Sequence, residues 1–116
     1  MAYDTKLADR VRRAVAGKRR ITEKKMFGGV AFLLDGRMFC GVASDDLMVR
    51  VGPEGHEEAM RKPHVRPMDF TGKPMKGYVF VGPDGCRTQR QIVVWVDRST
   101  SFVATLSSHT RRRSPR

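Results

Sequence analysis

The sequence predicts an α+β domain: an antiparallel sheet of about four or five strands flanked by N- and C-terminal helices. Three observations predict it. Leu7, Val11, Ala14 and Val15 recur at helical spacing near the start of the chain. Short apolar runs separated by tight-turn residues fill the middle. Ile92, Trp95, Val96, Ser99, Val103 and Leu106 then return to one helical stripe near the end. A run of strands framed by helices, without strict alternation of the two, belongs to the α+β class.

The first helix has Asp4 as its expected N-cap and Gly17 as its expected stop. Residues 30–34 and 37–42 read as two strands joined by Asp35-Gly36, a dipeptide suited to a turn in which both central residues take positive φ. That register sets Leu34 opposite Arg37 and Phe32 opposite Phe39. Met38, Cys40 and Val42 then share one face. Ser44-Asp45-Asp46 predicts a further turn, and residues 47–51 a third strand, completing a meander over 29–51. Pro53 suits the opening of a short helix over 54–60, with Glu54, Glu57 and Glu58 near its positive end.

Residues 62–74 carry three prolines and a glycine and read as irregular. Residues 76–81 form a fourth strand, with Tyr78 and Phe80 on one face and Val79 and Val81 on the other. It is also a candidate sheet edge. The IVVWV run over 92–96 has strand propensity. However, Thr88-x-x-Gln91 matches a capping box and the stripe that follows is helical, so one helix over 88–107 is predicted.

The 116 residues suit a single domain, expected over 1–107, with a basic, disordered tail over 108–116. The net charge is +11, which favours polyanions or acidic partners. Residues 10–25 hold eight basic residues against one acid, and the TRRRSPR terminus adds four arginines. Arg10, Arg13, Lys18, Arg19, Arg20, Lys24, Lys25, Arg111, Arg112 and Arg113 are therefore the candidate contacts to a polyanion or partner. A reading element for bases is less evident. Phe39, Tyr78 and Phe80 could stack on bases from a sheet, although strand aromatics more commonly fill a core.

The motifs of common enzyme classes are absent: there is no GxSxG, HExxH, CxxC or P-loop pattern. Gly28-Gly29 lacks the downstream Gly, Lys and Ser/Thr of a phosphate cradle. His56, His64 and His109 have no partner at ligand spacing. Cys40 and Cys86 form no disulfide framework, and Cys40 is expected as a buried thiol. No catalytic residue, metal or cofactor is expected. MAYDTKLADR lacks the apolar segment of a secretory leader, and no apolar run is long enough to span a membrane, so a cytoplasmic location is expected.

The order KKMFGGVAFLLDGRMFCGV, DDLMVRVG and RPMDFTGKPMKGYVFV resembles the TfoX/Sxy amino-terminal domain family over residues 4–106. The resemblance implies a compact α+β domain and supports the helical reading of IVVWV. Its signature falls on Met26, Phe27, Gly28, Gly29, Gly36, Phe70, Gly77 and Tyr78, none with an implied catalytic role. The best-known relatives regulate natural competence, act with the cyclic-AMP receptor protein at bacterial promoters, and carry a second, carboxy-terminal domain that is not expected here. GCRTQRQ over 85–91 departs from the acidic helix start expected of the family and makes that end more basic. The resemblance implies a non-catalytic regulatory or adaptor domain that contacts another protein, such as a transcription regulator, and forms a homodimer. The alternative is a nucleic-acid-binding accessory protein using the basic surface and arginine tail.

Overall fold

The computed structural model describes residues 3–26, 28–68 and 75–113, with side chains through Leu106. The elements run α1 (Thr5–Val15), β1 (Ile21–Met26), β2 (Gly29–Leu34), β3 (Arg37–Ala43), β4 (Asp46–Arg50), α2 (His56–Met60), β5 (Val65–Pro67), β6 (Tyr78–Val81) and α3 (Gln89–Arg113). A single 3-10 turn over Pro83–Gly85 leads from β6 towards α3. The six strands form one antiparallel sheet in the order β1-β2-β3-β4-β6-β5.

Local chemistry explains the helix starts. The Asp4 carboxylate accepts from the backbone N–H groups of Lys6 and Leu7, satisfying two donors that the first turn of α1 leaves unpaired. The capping box at α3 is formed. The Gln91 side chain accepts from the Thr88 N–H at 3.0 Å, and the Gln91 N–H donates to Thr88 Oγ1 at 3.1 Å. Helical periodicity and this cap outweigh the strand propensity of IVVWV. Pro53 instead lies in a turn, and α2 begins only at His56.

The meander forms as predicted, with Asp35 and Gly36 both at positive φ and Leu34 opposite Arg37. Further along, the predicted pairing is corrected. Phe32 lies opposite Cys40, not Phe39, because a β-bulge between Phe32 and Leu33 in the register leaves Phe39 as an extra residue on β3. The bulge breaks the alternation, so Phe39, Cys40 and Val42 all join the same core.

Two more strands are present than the four predicted individually. Residues 21–26, within the basic stretch, form edge strand β1, and 65–67 form edge strand β5. The predicted edge at 76–81 is also corrected: β6 is interior, between β4 and β5. Its faces divide as expected, with Val79 and Val81 in the main core and Tyr78 and Phe80 on the other side.

α1 and α3 pack on each other and on one face of the sheet. Leu7, Val11, Phe32, Leu47, Ile92 and Val96 are among the residues buried between them. Gln89 Nε2 donates to the Arg10 carbonyl at 2.9 Å, joining the two helices directly. The opposite sheet face carries a smaller cluster of Met48, Met68 and Phe80. Met48 is fully buried there, so it offers no external apolar contact.

Candidate functional site

The basic residues of the first third do not converge. α1 sends them in different directions. Arg10 is half-buried and lines a cleft of about 270 Å³ beside Asp4, Asp45 and Asp84. Arg12 turns towards β1, where it clasps Glu23 at 2.8 Å and also reaches Asp9. Arg13 points outward. Lys18 bridges to Asp97 on α3 at 3.6 Å, and Arg20 to Asp35 at 3.3 Å. On β1 the pleat separates the lysines. Lys25 pairs with core-facing Val30 and Lys24 with Ala31, so they occupy opposite faces. Among the described residues, Arg13, Arg19, Lys24 and Lys25 are exposed and have no ion pair. The side chains of Arg111, Arg112 and Arg113 lie outside the described residues, as do Phe27, Phe70 and residues 114–116.

The strand aromatics are not a stacking platform. Phe39 is fully buried. Phe80 lies under the Arg66 guanidinium and Tyr78 under that of Arg50, both within about 5.5 Å.

The signature glycines serve the backbone. Gly28 and Gly29 belong to the β1–β2 hairpin, where Met26 pairs with Gly29. They join two strands rather than cradle a phosphate. Gly77 is a junction: its carbonyl accepts from Val51 and Gly52, and its N–H donates to His56 Nδ1 at 3.0 Å. His56 is thereby a structural acceptor.

The two cysteines are buried and unpaired with each other. Burial raises the Cys40 thiol, and burial followed by the nearby Asp46 carboxylate pushes Cys86 up from 9.0 to about 11. Neither is poised as a nucleophile. A raised thiol in the fold means that the stability it contributes is fully present below about pH 9 and is lost as the pH rises through about 11. Urea midpoints should therefore fall across that window, and Cys86→Ala should remove part of the slope. An unchanged slope in that variant would refute this assignment. Among the described residues no group of three or more His, Cys, Asp or Glu could hold a metal. No described helix is long and apolar enough to cross a membrane.

A different feature was not anticipated. A groove of about 340 Å³ lies beside the first turns of α3. Val94, Trp95 and Arg98 line it from the helix, with Arg90 one turn earlier. Lys62, Pro63 and His64 face them from the α2–β5 loop. That loop is held where the Gly82 N–H donates to the His64 carbonyl at 2.8 Å, and His64 takes a positive φ. Trp95 is 7 % exposed and Val94 60 %. The Arg98 guanidinium lies 5.7 Å from the Trp95 ring centre, donates to the Gly55 carbonyl, and pairs with Glu58. Glu58 also holds Lys62 at 3.2 Å. The Arg98 hydrogen bond, then that of Lys62, keeps the Glu58 carboxyl below its ordinary range. The carboxylates predicted at the α2 start thus include one that ties α2 to α3. The sequence signal for the groove was Val94, an apolar residue lying off the stripe of α3.

These features define a small α+β domain: one sheet, two helices sealing one face, and a basic surface without an assembled catalytic set among the described residues. The model of the TfoX N-terminal domain matches residues 13–103, and the chain belongs to that family. No curated protein and no solved structure matches it.

Proposed function

We propose that the chain is a non-catalytic regulatory domain that acts in the cytoplasm by contacting another protein, with a transcription regulator as the partner class. Membership of the TfoX N-terminal domain family carries this reading. The state of the reactive side chains supports it: His56, Glu58 and both cysteines are engaged or buried in roles that hold the fold. The test is affinity capture with the full chain, followed by sedimentation of the purified pair. A specific partner forming a defined complex is expected, and capture of no specific partner would end the reading.

Nucleic-acid contact is the second reading, favoured by the exposed, unpaired Arg13, Arg19 and Lys24. These cations are dispersed over several surfaces, which suits bulk attraction better than sequence readout. A duplex DNA titration at low and moderate salt distinguishes the two. Weak binding that disappears at moderate salt is expected. Sequence-dependent binding that survives there would make this second reading the primary one.

A further inference from the structure

The groove at α3 combines two properties that separate its ligands by chemistry. Its floor is apolar, formed by Val94, Trp95 and Pro63. Its rim is cationic, with Lys62, Arg90 and Arg98. Two of these cations are held in place by Glu58, while Arg90 is exposed and has no ion pair among the described residues. Among the described residues, Val94 and Met75 are the exposed large hydrophobic residues, and Val94 is the more exposed. It is far more exposed than the stripe residues of its helix, and it adds to the apolar side of the groove rather than to the core.

We infer that this groove docks an acidic segment of the partner protein, anchored by one or two apolar side chains over Val94 and Trp95. The inference rests on the protein-contact reading above and names the surface and partner chemistry for it. Its volume is near the lower end of the about 300–1,000 Å³ typical of ligand pockets, which suits a short anchor better than a large cofactor. Charge complementarity selects the flanks: carboxylates on the partner meet Arg90, and Lys62 and Arg98 around the single Glu58 carboxylate leave one further net positive charge. A second copy of a +11 chain would bring like charge to this rim. A phosphate backbone would satisfy the cations and leave the apolar floor uncovered.

Trp95 is the chain's one tryptophan and lines this groove, so its fluorescence can report a ligand bound there. The probe is a blocked peptide with a Leu-Phe pair flanked by Asp and Glu, added to the full chain. A saturable change in Trp95 emission is expected. Val94→Glu and Arg90→Glu should each weaken binding about tenfold or more, as expected for a central contact. Lys76→Glu makes the same change in net charge as Arg90→Glu, away from the groove, and should leave binding within about twofold. Unchanged urea midpoints for the variants would show that the fold is retained; Val94 is exposed, so its substitution leaves the core intact.

The inference is overturned if peptides with Asn and Gln for the acids, or Ala-Ala for Leu-Phe, bind equally well. It is also overturned if a DNA oligonucleotide competes for the same signal, or if Val94→Glu abolishes self-association instead. Partner capture separates the two levels. Should wild type and Val94→Glu capture the same partner equally, the groove assignment fails and the protein-contact reading stands. Should wild type capture no specific partner, the protein-contact reading itself fails.

Discussion

Phe39→Ala is expected to destabilise the fold by about 3–5 kcal/mol, read as a lowered midpoint in urea at unchanged m. Phe39 is fully buried among the residues between the sheet and its helices. The bulge places it there. Leu33 and Met38 pair across the other face, yet Phe39 and Cys40, consecutive on β3, both join the helix-side core. Truncating the ring removes a large apolar surface and leaves a cavity that a strand held on both sides by hydrogen bonds cannot readily collapse. A loss of this size is comparable with the lower end of the about 5–15 kcal/mol available to a typical domain. Met38→Ala, at the half-buried neighbouring position, should cost about 1 kcal/mol. Equal losses at the two positions would mean that β3 has no bulge and that the side chains alternate regularly.

Gly29→Ala is expected to cost about 3 kcal/mol, at the upper end of ordinary overpacking effects. A Cβ at Gly29 would lie 1.9 Å from the Val42 carbonyl oxygen and 3.2 Å from the Ala43 Cα. Both obstacles are backbone, so relief requires β2 and β3 to separate where they are paired. The adjacent Gly28 has the opposite profile. Its φ is +72° and a Cβ there would meet open space. Gly28→Ala should therefore cost only about 1–2 kcal/mol, the penalty of a left-handed conformation. Thermal or urea unfolding of the two variants side by side separates spacing from conformation as the reason for the paired glycines. A larger loss at Gly28 than at Gly29 would reverse the assignment.

Elements with a buried face were legible in the sequence, because burial imposes periodicity. α1, the meander from β2 to β4, β6 and α3 all carry such patterns. β1 carries none. Its ITEKKM sequence lies at the sheet edge with exposed residues at four consecutive positions, so no hydrophobic alternation marks it. Lysines on an edge strand are also a common defence against pairing with another chain, and they read locally as a charged linker. β5 is three residues ending in Pro67, and its strand geometry comes from pairing with β6. The bulge at Phe39 leaves the composition of β3 unchanged and appears only in its register.

The candidate site was legible in part for a related reason. The sequence displays every cation but not the carboxylate each will meet. Lys18–Asp97 and Arg20–Asp35 are tertiary pairings, and the strand pleat divides Lys24 from Lys25. The groove draws on segments some thirty residues apart, from Lys62 to Arg98, so no local motif could contain it. Val94 left a trace, as an apolar residue with no place on the stripe of its helix.

The packing of α1 on α3 has a consequence for the order in which the protein is made. α1 precedes every strand and α3 follows them all, and the two seal the same sheet face. The meander can pair early, since its contacts are local. Its helix-side face, with Phe32, Phe39, Val42 and Leu47, can meet α1 early but stays partly open until α3 is made. The nascent domain therefore carries a partly open apolar surface until α3 has emerged, and its core closes only after the sheet has paired.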